Sequence, residues 1–158
     1  MQPLREWWSR AWSWLGQRSP WPLRAGKLEG WLAGWLGDAG ERQAAKFLKR
    51  LGYRIVTRRF RFGRGDIDLV ALDGQTIVFV EVKTRRSSDR GTPEEAVDHF
   101  KQKQLTKLAL AFLKRYNLLE RAARFDVVSI VWPDDRQPPK ITHFQNAFPA
   151  IGRGQMFS

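Results

Sequence analysis

The stretch that decides the fold is GDIDLVALDGQTIVFVEVKTR, residues 65–85. Two largely apolar runs flank the dipeptide Asp73-Gly74, and such a dipeptide between runs of this kind is a strong signal for a β-hairpin. We therefore predict strands at about residues 66–72 and 76–84. Because the second run is apolar at every position from residue 77 to residue 80, it is predicted to be a central strand that is buried on both faces.

Acidic side chains interrupt this apolar hairpin at one end. Side chains alternate along a strand, so Asp66 and Asp68 are expected on one face of the first strand, and Ile67 and Leu69 on the other. Counting symmetrically about the predicted turn pairs Glu81 most closely with Asp66 and puts Asp68 one diagonal away. The pattern thus predicts that carboxylates from two neighbouring strands meet.

Carboxylates that meet at the edge of a core repel one another and lose hydration, so they need protons, cations or a hard metal ion. Oxygen ligands in a chain without cysteine favour Mg²⁺ or Mn²⁺. Lys83 lies two residues beyond Glu81 on the same face, and a positive charge beside a metal ion suits phosphodiester hydrolysis. The alternative is that Glu81 and Lys83 form an exposed ion pair that contributes about 0–1 kcal/mol.

The segments on either side of the hairpin predict the rest of the domain. Asp38 with Glu41 resembles a capping box that opens a helix, and Gly52 ends it. A strand follows at residues 53–62. Thr92 is predicted to cap a second helix that runs to about residue 116. Two further strands are predicted at residues 124–132 and 140–148, which makes the fold class α/β with a mixed central β-sheet flanked by helices.

The first 36 residues differ from the rest of the chain, because they hold seven of the eight tryptophans. The apolar residues of the first 16 recur at helical spacing, which predicts an amphipathic helix. Such a basic segment suits a membrane surface or a partner protein, and the alternatives are packing on its own domain or a poorly ordered tail. We predict a Trp-rich extension at 1–36, a domain at 37–149 and a tail at 150–158.

The overall composition favours a polyanionic partner. The chain has 28 Lys and Arg against 16 Asp and Glu, a formal net charge of +12, which indicates nucleic acid before an anionic membrane. The absence of cysteine excludes disulfides and thiol catalysis and suits a reducing compartment. No run approaches the length of a transmembrane helix, and the N-terminus lacks the uninterrupted apolar block of a signal peptide. We therefore expect a cytoplasmic protein.

Several motifs in order resemble the bacterial YraN family. They are GDAGERQAAKFLKRLGYRIVTRRFR at residues 37–61, the hairpin itself, GTPEEAVDHFKQKQLTKLALAFL at 91–113 and RFDVVSIVW at 124–132. The family is similar to archaeal Holliday-junction resolvases and to the restriction-endonuclease-like superfamily, whose signature is an acidic residue followed by Glu/Asp-x-Lys. The resemblance covers residues 37–148, so the Trp-rich extension lies outside it.

The resemblance implies a restriction-endonuclease-like sheet and roles for individual residues. It makes Asp68 and Glu81 the ligands of Mg²⁺ or Mn²⁺ and Lys83 the catalytic lysine. Glu41 matches an additional acidic position that assists catalysis, and Lys101 matches a lysine on the following helix. The chain departs from the family at Asp66, where glutamate is more frequent, and this departure matters only if residue 66 touches the metal ion.

Arginines cluster before and after the predicted acidic site. A basic rim around an acidic centre would neutralise phosphates while the centre recruits a metal ion. The cations predicted to contact nucleic acid are Arg58, Arg59, Arg61, Arg64, Arg85, Arg86 and Lys101. Phe60 or Phe62, which lie between these arginines, is expected in the core rather than as a platform for bases. His99 and His143 gain no role from their spacing.

These observations lead to one hypothesis and two rivals. The leading hypothesis is a metal-dependent endonuclease-like protein that acts on structured or branched DNA. The first rival is a nucleic-acid-binding protein that keeps the nuclease fold but has little or no catalytic activity. The second is a membrane-surface protein that is anchored through residues 1–36. The sequence leaves open whether the protein forms a homodimer.

Overall fold

The computed structural model describes residues 25–85, 97–132 and 137–152, with side chains from residue 34 onward. By its contacts the chain divides into two compact units, Met1–Trp35 and Leu36–Ser158. The amphipathic helix predicted in residues 1–16 and most of the predicted Trp-rich extension lie outside the described residues.

Two helices and five strands form the described structure, and the strands make one mixed sheet in the order β1-β2-β3-β4-β5. Along the chain the elements are α1 Ala25–Arg50, β1 Arg54–Phe62, β2 Gly65–Asp73, β3 Thr76–Arg85, α2 His99–Arg115, β4 Ala123–Val131 and β5 Lys140–Phe148. Neighbouring strands are antiparallel except β3 and β4, which are parallel and are joined through α2. The predicted α/β class with a mixed central sheet is therefore confirmed.

One helix covers each face of the sheet, so the core has two layers. The layer on the α2 side includes Ile67, Phe79 and Phe112. The layer on the α1 side includes Leu48 and Leu69. β3 contributes alternate residues to both layers, and its residues 77–80 are at most 3% exposed. The prediction of a central strand that is buried on both faces is confirmed.

The hairpin between β2 and β3 forms as predicted, but its turn lies one residue later. Asp73 pairs with Thr76, so the two-residue loop consists of Gly74 and Gln75. Gly74 has a φ of 58°, a conformation that glycine adopts without steric cost. The pairs run outward to Leu69 and Val80, and the same register continued by one residue brings residue 68, rather than 66, opposite residue 81. The predicted pairing of Glu81 with Asp66 is therefore wrong.

The side-chain alternation of β2 breaks at Asp68. Ile67 packs in the layer on the α2 side and Leu69 packs in the layer on the α1 side, although both were predicted on one face. On β1, the pairs Arg58–Leu69 and Phe60–Ile67 bracket Arg59, which has a φ of 53°. A non-glycine residue in this left-handed region interrupts the regular pleat of the strand. This interruption of the pleat at Arg59 lies beside Asp68 on the neighbouring strand β2.

Both helices begin at positions that differ from the sequence prediction. α1 already starts at Ala25, so Asp38 lies inside the helix and is not its N-cap. The glycines in residues 26–37 lower helix propensity by about 1 kcal/mol each without ending the helix. Asp98 caps α2, where its Oδ1 accepts a hydrogen bond of 2.8 Å from the Lys101 N–H. The predicted cap at Thr92 lies outside the described residues. Neither described helix combines the length and the apolar character needed to cross a bilayer.

Candidate active site

The chain directions bring several chemically active residues to one end of the sheet. β1 and β3 run toward this end, β2 starts there, and α2 begins there because it follows β3. α1 approaches the same end closely, since a Cβ built on Gly40 would overlap Thr84 Oγ1 on β3. The glycine therefore allows the next residue, Glu41, to reach the end of the sheet.

Glu81 is the centre of the site. Its side chain is 5% exposed, and its Oε1 lies 2.8 Å from Lys83 Nζ and 3.5 Å from Lys101 Nζ. The two ammonium groups balance the buried carboxylate charge, which would otherwise be too costly to keep in the core. The second oxygen, Oε2, is buried and has no hydrogen-bond partner among the described residues. The site thus holds a carboxylate oxygen that is available to a ligand.

Asp68 lies beside Glu81 and has an altered affinity for protons. Its Oδ2 accepts a hydrogen bond of 2.7 Å from the backbone N–H of Val82. Burial raises the pKa of Asp68 to about 7, and the negative charges of Glu81 and Glu41 add to the rise, while the Val82 hydrogen bond and Lys101 oppose it. This carboxyl group therefore binds a proton more readily than an ordinary aspartate does.

Glu41 joins the acidic cluster from α1. Arg59 Nε donates to both of its carboxylate oxygens, at 3.1 and 2.8 Å, and the Arg59 guanidinium also forms an ion pair with Asp38. Burial raises the pKa of Glu41, Arg58 opposes this, and the charges of Asp66 and Glu81 contribute to the rise. Glu41 is therefore electrostatically linked to the two strands of the hairpin.

The structure thus brings together five of the residues that the sequence singled out. We call this set the acidic cluster: Glu41, Asp68, Glu81, Lys83 and Lys101. The predicted capping pair of Asp38 and Glu41 has a different role, because both residues hold Arg59. Asp66 is half-buried and acts on the cluster through its charge on Glu41.

The structure describes most of the arginines that were predicted to form a basic rim. Arg58, Arg61 and Arg64 are exposed, as a rim requires, and Arg85 is half-buried. Arg59 is engaged with two carboxylates and therefore stabilises the acidic cluster instead of standing free for a phosphate. Arg86 lies outside the described residues.

A second polar group, which the sequence did not reveal, lies on β4 and β5. Asp126 is fully buried, and its oxygens contact His143 Nε2 at 2.8 Å, Arg124 Nε at 2.9 Å and the Asn146 N–H at 2.9 Å. Arg124 also donates to the Tyr53 hydroxyl at 2.9 Å. We call these residues the Asp126 network. Its only signal in the sequence is an aspartate inside the apolar strand RFDVVSIVW.

Both carboxylate oxygens of Asp126 have hydrogen-bond partners, whereas Glu81 Oε2 in the acidic cluster has none among the described residues. Burial alone would raise the pKa of Asp126, but hydrogen bonds from His143, Arg124 and the Asn146 backbone outweigh it, so the pKa lies below its ordinary value. His143, which gained no role from sequence spacing, therefore supports the junction of β4 with β5. An ionised aspartate that three donors hold is typical of a structural carboxylate.

Only two carboxylates of the acidic cluster, those of Asp68 and Glu81, suit a hard metal ion. Within residues 34–85, 97–132 and 137–152, His, Asp and Glu side chains do not form a group of three or more that would hold a metal ion. Mg²⁺, however, is commonly bound through one or two carboxylates together with water and substrate phosphates. Asp68 and Glu81, with the unpartnered Glu81 Oε2, suit this mode of binding.

Residues 40–130 match the sequence profile described as "Uncharacterised protein family UPF0102". A UPF0102 protein of Geobacter sulfurreducens is 52% identical over 115 residues, which cover 72% of this chain and 88% of the relative. One from Symbiobacterium thermophilum is 49% identical over 116 residues, or 73% of this chain and 97% of the relative. One from Rhodopirellula baltica is 42% identical over 120 residues, or 74% and 72%.

Proposed function

The chain belongs to the UPF0102 family, and from the geometry of its acidic cluster we propose that it is a metal-dependent endonuclease-like protein that binds structured or branched DNA. We further propose that its sheet is of the restriction-endonuclease type. An acidic residue on β2 and a Glu-x-Lys on the central strand β3 support this assignment, as does the helix on each face.

One observation carries the proposal. Asp68 and Glu81, on neighbouring strands, interact strongly enough that the charge of Glu81 raises the pKa of Asp68, and Glu81 keeps a buried oxygen without a partner. Carboxylates that are buried together without full hydrogen bonding destabilise the fold, and such costs concentrate at functional sites. Binding a divalent cation would relieve the repulsion.

The residues of the cluster have distinct roles in the proposed hydrolysis. Asp68 and Glu81 would hold Mg²⁺ or Mn²⁺, and the bound ion supplies positive charge to the scissile phosphate. Lys83 would stabilise the negative charge that develops on the phosphate and help to position the attacking water, because its Nζ already lies beside Glu81. Glu41, held by both oxygens on Arg59, would support the acidic cluster from α1.

Lys101 and the exposed arginines would position the nucleic acid. Lys101 Nζ is 3.5 Å from Glu81 Oε1, so a cation from α2 lies at the site itself. Arg58, Arg61 and Arg64 are exposed around the end of β1. Contacts from such cations to phosphates set affinity and register without reading sequence.

A cleavage screen tests the proposal. The full chain is incubated with single-stranded, duplex, flap and four-way-junction DNA in Mg²⁺ or Mn²⁺, beside Glu81→Gln and Lys83→Ala variants. We expect wild-type cleavage of a structured substrate and a loss of about 100-fold or more in each variant. Glu120→Gln and Lys114→Ala are matched controls, since both residues are exposed and lie outside the cluster. Cleavage that survives both substitutions in the cluster would exclude this site.

One observation favours the second candidate, a binding protein with the nuclease fold but little or no catalysis. Two lysines already compensate Glu81, and the raised pKa of Asp68 partly neutralises the second carboxyl group. The cluster is therefore close to electroneutral without a metal ion. Salt-sensitive binding of DNA without cleavage of any of the four substrates would support this candidate.

A further inference from the structure

Two phenylalanine side chains are exposed at the end of the sheet that carries the acidic cluster. Phe62, the last residue of β1, is 56% exposed, and Phe100, in the first turn of α2, is 79% exposed. Phe60 is only 7% exposed, and its ring packs 5.0 Å from that of Phe112. Phe60 therefore lies in the core, as was expected of one of the two, and Phe62 does not.

Both phenylalanines belong to elements that meet at the end of the sheet where the acidic cluster lies. Phe100 directly precedes Lys101, whose Nζ contacts Glu81. Phe62 pairs with Gly65 at the start of β2, and a Cβ on Gly65 would lie 2.9 Å from Gln104 Nε2 on α2. Gln104 is one helical turn from Phe100, so the chain places the two aromatic residues on the same side of this end of the sheet.

The surroundings of these rings are basic. Arg61 and Arg64 are exposed beside Phe62, and Lys103 is exposed in the same turn of helix as Phe100. Single exposed apolar residues are ordinary on protein surfaces. Exposed aromatic rings among cations are the pattern that binds single-stranded nucleic acid, because bases stack on the rings while the cations follow the phosphates.

We propose that Phe62 and Phe100 form a stacking platform for unpaired bases at the entrance to the acidic cluster. Bases inside a continuous duplex already stack on one another, so their faces are not accessible to a protein ring. The preferred nucleic acid thus contains a single-stranded segment. This inference rests on the nucleic-acid binding in the proposed function, but it does not require cleavage.

The test measures binding of the full chain in EDTA, so that no hydrolysis occurs. Fluorescence anisotropy gives the affinity for a single-stranded oligonucleotide and for the matching duplex. We expect Phe62→Ala and Phe100→Ala each to weaken single-strand binding by about 5- to 100-fold, with a much smaller effect on the duplex. Tryptophan at either position should restore binding, because it also presents an aromatic face. Leu119→Ala is the matched control, since Leu119 is exposed beyond the C-terminal end of α2.

A base analogue separates stacking from general loss of affinity. 2-Aminopurine in the single strand should lose fluorescence on binding to the wild-type protein and recover it with the double alanine variant at saturation. Equal weakening of single-strand and duplex binding, or no weakening of either, would overturn the stacking platform while leaving the proposed function intact. If the wild-type chain binds no DNA in any form, the proposed function fails together with the platform.

Discussion

The acidic cluster and the Asp126 network both place carboxylates inside the same sheet, but their surroundings shift the carboxyl pKa in opposite directions. Asp126 has three donors on its two oxygens, and its pKa is lowered. Asp68 has one backbone donor, and its pKa is raised to about 7, while Glu81 keeps an oxygen without a partner. The comparison shows how a carboxylate that stabilises a fold differs from one that is available for binding.

The largest expected effect is the loss of the structural carboxylate. Asp126→Ala removes the shared partner of Arg124 and His143 and leaves Asp73, on the protein surface, as the remaining ion-pair partner of Arg124 among the described residues. We expect the free energy of unfolding in urea to fall by about 3–5 kcal/mol. Asp73→Asn is the control, because Asp73 also contacts Arg124 but its side chain is 43% exposed, and it should lose no more than about 1 kcal/mol. Equal losses in the two variants would contradict the structural role of Asp126.

The second prediction concerns metal binding to the acidic cluster. A cation that binds only the folded state stabilises it by about 2.7 kcal/mol at a concentration 100 times its Kd. Mg²⁺ or Mn²⁺ should therefore raise the thermal midpoint of the wild-type protein and of Asp73→Asn, but not that of Asp68→Asn or Glu81→Gln. Differential scanning calorimetry measures the shift. A similar shift in the Asp68→Asn protein would show that the ion binds elsewhere.

The two carboxylates should also respond to pH with opposite signs. Because the folded pKa of Asp68 is raised from 3.8 to about 7, its favourable contribution is fully present below about pH 4 and is lost as the pH rises through about 7. Asp126 has a lowered pKa, so its contribution is present above about pH 4 and is lost as the pH falls through the folded value.

Unfolding in urea across this pH range measures the difference. The free energy of wild type relative to Asp68→Asn, in metal-free buffer, should rise as the pH falls from about 7 to about 4, by at most about 1.4 kcal/mol per pH unit. The asparagine variant is the control because its side chain does not titrate. A difference that stays constant across the range would show that Asp68 has an ordinary pKa in the folded protein.

The smallest expected effect on the free energy of unfolding concerns Arg59. Two substitutions there separate the contribution of its ion pairs from that of its backbone conformation. Arg59 holds Glu41 but has a φ of 53°, which favours glycine. Arg59→Ala should lose about 1 kcal/mol with the partly exposed ion pairs, and Arg59→Gly should be more stable than Arg59→Ala by about 1 kcal/mol. Chemical denaturation of the two variants gives this value. If alanine proves the more stable substitution, the left-handed conformation is not required.

Local sequence patterns predict the elements well where they depend on neighbouring residues. The five strands and the β2–β3 hairpin follow from alternation, apolar runs and a glycine at the turn. The register fails because a shift of one residue in the loop moves the pairing by two, so that the observed register, continued by one residue, places residue 68 instead of residue 66 opposite residue 81. The start of α1 fails because a capping pattern at Asp38 is equally compatible with a helix that passes through it.

Part of the acidic cluster is predictable, because Asp68, Glu81 and Lys83 lie in the hairpin motif and the family resemblance points to Glu41 and Lys101. The Asp126 network is not predictable in this way. Tyr53 and Arg124 are 71 residues apart, and Gln145, whose side-chain amide also donates to the Tyr53 hydroxyl, is 92 residues from Tyr53. No local period or spacing connects such positions. The hydrogen bonds between Arg59 and Glu41 cannot be predicted from local sequence for the same reason, because the two residues meet only when α1 packs on the sheet that contains β1.

The irregular backbone of β1 affects how separate molecules meet in concentrated solution. β1 is an outer strand of the described sheet, and it carries a register shift between Ile55 and Thr57 as well as the left-handed residue Arg59. An added strand would find few consecutive backbone groups in line and would encounter repelling guanidinium groups. We therefore expect this strand to oppose sheet extension and fibrillar aggregation at that edge.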